Sequence, residues 1–108
     1  FVGFAEGDTL TLTFARPVTV TAVQTVTGHQ DSRASQNYEV WVSAADAPER
    51  FAKLASVERT AESGFTRVGI ARDGAKPLAE KVAAVRFLFK NGPTGFNVYR
   101  EIAVVGHP

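Results

Sequence analysis

Thr9-Leu10-Thr11-Leu12-Thr13-Phe14 is the stretch that decides the fold. Apolar side chains take the even positions and threonines the odd ones, so one face of the segment is greasy and the other wet. That period of two belongs to a half-buried β-strand; a helix would repeat its apolar residues every three or four. Downstream, Val18-Thr19-Val20 begins in the same phase, yet Val23 and Thr25 have changed parity. A β-bulge around Thr21-Ala22 accounts for the change, because one extra residue turns every later side chain to the other face.

Outward from this stretch the same grammar continues. Further strands are predicted at 37–43, 51–58, 65–70, 82–90 and 98–105, rich in Val, Phe, Tyr and Thr and separated by Gly, Pro, Asp and Asn. Seven short strands with turn signals between them predict an all-β antiparallel β-sandwich. One segment competes: Pro77-Leu78-Ala79-Glu80-Lys81-Val82-Ala83-Ala84 holds good helix formers behind a proline. It is short and runs straight into Val85-Arg86-Phe87-Leu88-Phe89, so it reads as a loop, with at most one helical turn, feeding a central strand.

Composition narrows the function classes. At 108 residues, 44% hydrophobic and 21% charged, the chain has the make-up of one packed domain and not of a disordered segment. Its 12 basic and 11 acidic residues are interleaved, which leaves no electrostatic footprint for nucleic acid or an anionic membrane. No apolar run approaches the roughly 18 residues of a membrane span. The absence of cysteine removes disulfides, zinc-finger spacing and thiol catalysis, while leaving the compartment open. A chain without methionine that starts at Phe1 is expected to be a domain excised from a larger protein.

The chemistry lies in two polar loops. One runs Gly28-His29-Gln30-Asp31-Ser32-Arg33-Ala34-Ser35-Gln36; the other runs Asn91-Gly92-Pro93-Thr94-Gly95-Phe96-Asn97. Loops held by a rigid sheet make a common recognition surface. Arg33 carries five fixed donors and can bridge two adjacent hydroxyls, or it can pair with Asp31. His29 and Asp31, two residues apart, fall on one side of an extended loop. With Ser32 they supply the residue types of a catalytic triad, but neighbours in one loop do not point at each other as a triad requires. As a metal site they lack a third ligand. The plain role for Asp31 and Ser32 is to bond their own backbone.

In the second loop, Asn91 is either a ligand contact or a turn residue ahead of Gly92-Pro93. Phe96 is either a lid on the core or an exposed stacking platform, the platform being the expectation. Trp41 runs out of phase with Tyr38, Val40 and Val42 and so faces the opposite surface or a covering loop. Arg86, between Val85 and Phe87, is expected to point outward as a solvated charge.

Taken in order, Gly28 to Arg33, Tyr38 to Ser43, Val85 to Phe87 and Glu101 to Gly106 resemble the discoidin domain. This is the coagulation factor V/VIII type C domain of the galactose-binding-like superfamily. The resemblance implies an eight-stranded jelly-roll sandwich whose loops at one end bind galactose-type sugars, phospholipid heads or proteins. Such modules are usually appended to secreted enzymes or cell-surface proteins. It further implies that His29, Arg33 and Asn91 hydrogen-bond sugar hydroxyls while Phe96 packs on the ring; Asp31 shares their loop and joins the candidate site.

Family members often bind a structural calcium, and Glu101 stands where a ligating glutamate is common. The opening segment that supplies its partners has no counterpart before Thr9, so either the calcium site is lost or part of the domain is not included, and no cofactor is expected. The resulting expectation is a non-catalytic module for a galactose-like glycan or cell-surface polysaccharide, extracellular, periplasmic or at the cell surface, alongside other domains of a parent chain. The alternative is a structural or protein-interaction sandwich without a ligand pocket. The two loops must meet at one pole for the first expectation to stand.

Overall fold

Residues 2–90 and 95–108 are described by the computed structural model. Their regular structure is β: β1 (Val2–Ala5), β2 (Thr9–His29), β3 (Gln36–Ala44), β4 (Phe51–Arg59), β5 (Gly64–Ala71), β6 (Ala79–Phe89) and β7 (Phe96–His107). Two short 3-10 turns, Ser32–Ala34 and Asp73–Ala75, punctuate them. Among the described residues no helix is long and apolar enough to cross a membrane.

Every strand pairing is antiparallel. β2 is the keystone, 21 residues long and shared by two layers. Its first part, Thr9 to Thr13, pairs with β6, which carries β3 and then β4. Its second part, Ala22 to His29, lies between β5 and β7, with β1 on the far side of β7. The strand expected at 9–14 and the one expected after Val18 are therefore one strand, bent where its pairing with β6 slips between Thr13 and Val18. Pro17 sits inside that slip, where a missing N–H breaks no ladder bond. The bulge foreseen at Thr21-Ala22 is present as a register shift between Val20 and Ala22 against β7.

The expectation for Pro77–Ala84 needs correction. Strand β6 starts at Ala79, and the single helical turn lies earlier, at Asp73–Ala75. Lys81 adopts φ 52, in the left-handed region, and the pairing with β2 skips from Val82 to Ala79 around it. A bulge of this kind lets helix-forming residues serve in a strand, and tertiary pairing outweighs their local preference.

The core is where the layers meet. Phe4 of β1 stacks on Phe89 of β6 at 4.0 Å, and Tyr99 of β7 meets Tyr38 of β3 and Phe89 edge-on at 6.1 and 5.1 Å. Val20, Val23, Val40, Val82, Val85 and Phe87 fill the rest with essentially no exposure. Alternation delivers these residues: in β2, Leu10, Leu12 and Phe14 turn inward while Thr9, Thr11 and Thr13 stay wet.

Buried polar groups tie the layers at one end. The Gln36 amide of β3 donates to the Thr66 carbonyl of β5 at 2.7 Å, and its oxygen accepts from the Thr25 hydroxyl at 2.5 Å. Thr25 in turn contacts the Tyr38 hydroxyl at 2.8 Å. These bonds settle donors and acceptors that burial would otherwise leave orphaned.

Candidate functional site

The loop after β2 is shaped by its own aspartate. Asp31 accepts from the Arg33 backbone N–H at 3.0 Å, which starts the 3-10 turn Ser32–Ala34. The same carboxylate takes a fork from the Arg33 side chain: Nε at 2.8 and 3.1 Å, and one terminal nitrogen at 2.5 Å. Both bonds to Arg33 favour the charged form and hold the Asp31 carboxyl well below the usual carboxylate range. Two of the five guanidinium donors are thus committed, and three remain for another acceptor.

Locked in this way, the guanidinium lies over the Phe96 ring at 5.4 Å from its centroid. The first loop and the start of β7 therefore meet at one end of the sandwich. Phe96 is half-buried, between the lid on the core and the exposed platform considered from sequence. Its underside rests on Gly3: a Cβ there would come within 2.9 Å of the ring. Because Phe4 turns inward to Phe89, Gly3 and the ring upon it are on the outer side of the β1-β7-β2-β5 layer.

The other candidates are placed less simply. The His29 Nδ1 comes within 3.3 Å of the Asp31 carboxylate but is misaligned for a hydrogen bond, leaving that nitrogen buried without a partner. Asn91 lies outside the described residues. Asn97, at the far end of the same quoted stretch, is fully buried and accepts from the Asn37 amide at 3.1 Å, a bond within the structure. Ser32 makes no triad with His29 and Asp31, since the Asp31 carboxylate is engaged by Arg33.

Two further expectations resolve on the other layer. Trp41 is on the outer face of β3, half-buried, its indole N–H donating to Glu39 at 3.1 Å. Arg86 does point outward but is not merely solvated. Its guanidinium covers the Phe51 ring at 4.0 Å, and its Nε donates to the Thr11 hydroxyl at 3.0 Å.

Residues that the motifs did not single out complete the picture. Phe65, expected only as part of a strand, is 70% exposed, the most exposed large apolar side chain among the described residues. The Arg100 guanidinium lies 5.1 Å from its centroid. The signal in the sequence is faint, an aromatic directly after Gly64 at a strand start, and exposure alone separates it from the other phenylalanines.

Glu101 is where the resemblance would place a calcium-ligating carboxylate. That side chain is exposed, shares a shallow cleft with Arg67 and Gln24, and no cluster of three His, Asp or Glu exists among the described residues. Calcium takes about six to eight oxygen ligands.

No protein-family model and no curated protein matches the chain. Among solved structures, the chain is similar to CBM32-1 from a family 31 glycoside hydrolase of Clostridium perfringens. The TM-score is 0.69 at 15% identity, over 96% of this chain and 71% of that one. At that identity the likeness carries the fold alone, an antiparallel β-sandwich.

Proposed function

We propose that the chain is a non-catalytic carbohydrate-binding module of the discoidin type, taking a galactose-like glycan at the end of the sandwich. Arg33 offers its remaining donors to adjacent sugar hydroxyls, Phe96 supplies an apolar surface beside them, and His29 lends a ring nitrogen. Asp31 acts through Arg33 by fixing its orientation before the sugar arrives, which lowers the ordering cost of binding. Asn91 belongs to the same proposal by its place in the second loop.

The observation that carries this reading is the Arg33 guanidinium held over the Phe96 ring by the Asp31 fork. The likeness to a structure described as a carbohydrate-binding module supports it. A site of this size binds weakly alone, so the module would work tethered to a parent chain, outside the cell, in the periplasm or at the cell surface.

One observation favours a second reading. The Asp31 fork and the Gly3 seat of Phe96 also brace the end of the sandwich, as a scaffold or protein-interaction module would need. A glycan array on the domain beside its Arg33→Ala variant separates the two. Loss of a charged hydrogen-bonding partner is worth about 1.5–3 kcal/mol, roughly ten- to hundredfold in affinity. Binding that the variant leaves unchanged removes the site, and a folded domain that binds no glycan favours the scaffold.

A further inference from the structure

Phe65 and Arg100 repeat, on the same outer face, the arrangement of Phe96 and Arg33. Thr25 and Thr27 of β2 turn inward with 1% and 0% exposure, so Gly28 faces out. A Cβ on Gly28 would lie 2.6 Å from the Arg100 Nε and 2.7 Å from the Phe65 ring. The pair can lie flat on β2 only because that position has no side chain. Gly3 serves Phe96 in the same manner. Two arginine–phenylalanine stacks thus share one face, each seated on a glycine.

Strand β7 is distorted to allow it. Thr27 pairs with Tyr99 and Val26 with Glu101, so Arg100 is the extra residue of a bulge. Tyr99 stays in the core while Arg100 and Glu101 both face outward in succession. Bulges re-aim side chains, and this one sends Arg100 over Phe65. Below the pair a cleft of about 240 Å³ runs along the face, lined by Gln24, Val26, Arg67, Val68 and Glu101 among others. Arg67 brings donors to it, Glu101 acceptors and Gln24 both, beside the apolar Val26, a mixture suited to hydroxyl groups.

Phe96 and Arg100 are four residues apart on one strand, roughly 13 Å. A single sugar ring does not cover that distance. We infer that Phe65 and Arg100 form an outlying subsite, so that the ligand is an oligosaccharide chain lying from Phe96 past Phe65 toward the Arg67–Glu101 cleft. The inference rests on the carbohydrate reading of the Arg33 site.

Calorimetric titration with galactose and with galacto-oligosaccharides of two, three and four units tests it, on the wild type, Phe65→Ala and Arg33→Ala. Circular dichroism checks that each variant is folded, and so exposed a ring is dispensable for folding. Wild-type affinity should rise with chain length. Phe65→Ala should leave galactose binding unchanged and weaken the tetrasaccharide about three- to tenfold, the worth of an aromatic contact. Arg33→Ala should weaken every probe. If affinity does not depend on length, or Phe65→Ala leaves the tetrasaccharide unaffected, the subsite is overturned while the Arg33 site stands. If Phe65→Ala weakens all probes alike, a separate subsite is likewise overturned. If the wild type binds none of the four, the carbohydrate reading falls and the subsite with it.

Discussion

Arg33 and Phe96 are 63 positions apart in the chain, yet the guanidinium of one covers the ring of the other at 5.4 Å. Asp31 holds that geometry with a two-pronged fork to the Nε and a terminal nitrogen. An ammonium cannot reproduce either the fork or the flat approach to the ring. Arg33→Lys is therefore expected to lose most of the sugar affinity that Arg33→Ala loses, although it keeps the charge. Titration of the two variants against the same glycan checks this, and a lysine variant of wild-type affinity would show that charge alone suffices.

The fork also fixes how the site meets acid. Asp31 is depressed below its ordinary value of 3.8 by its bonds to the Arg33 side chain and backbone. A carboxyl lowered on folding contributes stability above its unfolded pKa and gives it up only as pH falls through its folded one. The Asp31–Arg33 pair should accordingly remain intact from neutral pH through pH 4. Following the Asp31 carboxyl carbon by NMR through an acid titration should place its midpoint well below those of exposed aspartates. A midpoint near 4 would mean that the fork is not maintained in solution.

At the alkaline end the two tyrosines govern. Both Tyr38 and Tyr99 are raised above the ordinary 10.0, in each case first by burial, which penalises the phenolate. Above pH 10 the folded chain thus binds more protons than the unfolded one, so stability is full below that value and declines as pH rises beyond it. Tyrosinate absorbance should stay absent until the fold gives way, and should then appear together with the loss of the far-ultraviolet sheet signal. Tyrosinate that develops near pH 10 in a folded protein would contradict the burial of these rings.

Gln36 ties the layers together beside the Thr25–Tyr38 and Asn37–Asn97 bonds, and its removal should be costly. Gln36→Leu would strand the Thr66 carbonyl and disturb the Thr25–Tyr38 contact in a site with no exposure. The expected loss is about 1–3 kcal/mol, the cost of an orphaned buried polar group. Urea unfolding measures it. A neutral or stabilising outcome would show that apolar filling outweighs the network here. Because Thr66 adjoins Phe65, the same variant should also loosen the outer end of β5, visible as faster amide exchange there.

Much of the architecture was legible in the residues themselves. Alternation in Thr9–Phe14 and the parity change at Thr21-Ala22 report strand and bulge directly, because a pleated backbone forces neighbours to opposite faces. Turn chemistry was equally local: Asp31 reaches only two residues to start its turn. Where local preference and pairing disagree, the sequence misleads. Ala79 to Ala84 favours a helix, and it is a strand because β2 and β3 offer it hydrogen bonds on both sides.

What the chain alone could not disclose is which distant residues share a surface. Nothing near Phe65 marks it as exposed, since its neighbours alternate like those of any strand. Its openness follows from Gly28, 37 positions earlier, and from a bulge at Arg100, 35 positions later. Period, turn and composition are properties of short segments, so the linear order determined the strands and the shape of the loop around Asp31. The seating of Arg33 on Phe96 and of Arg100 on Phe65 depends on register between strands far apart in the chain, and only the packed sandwich decides that.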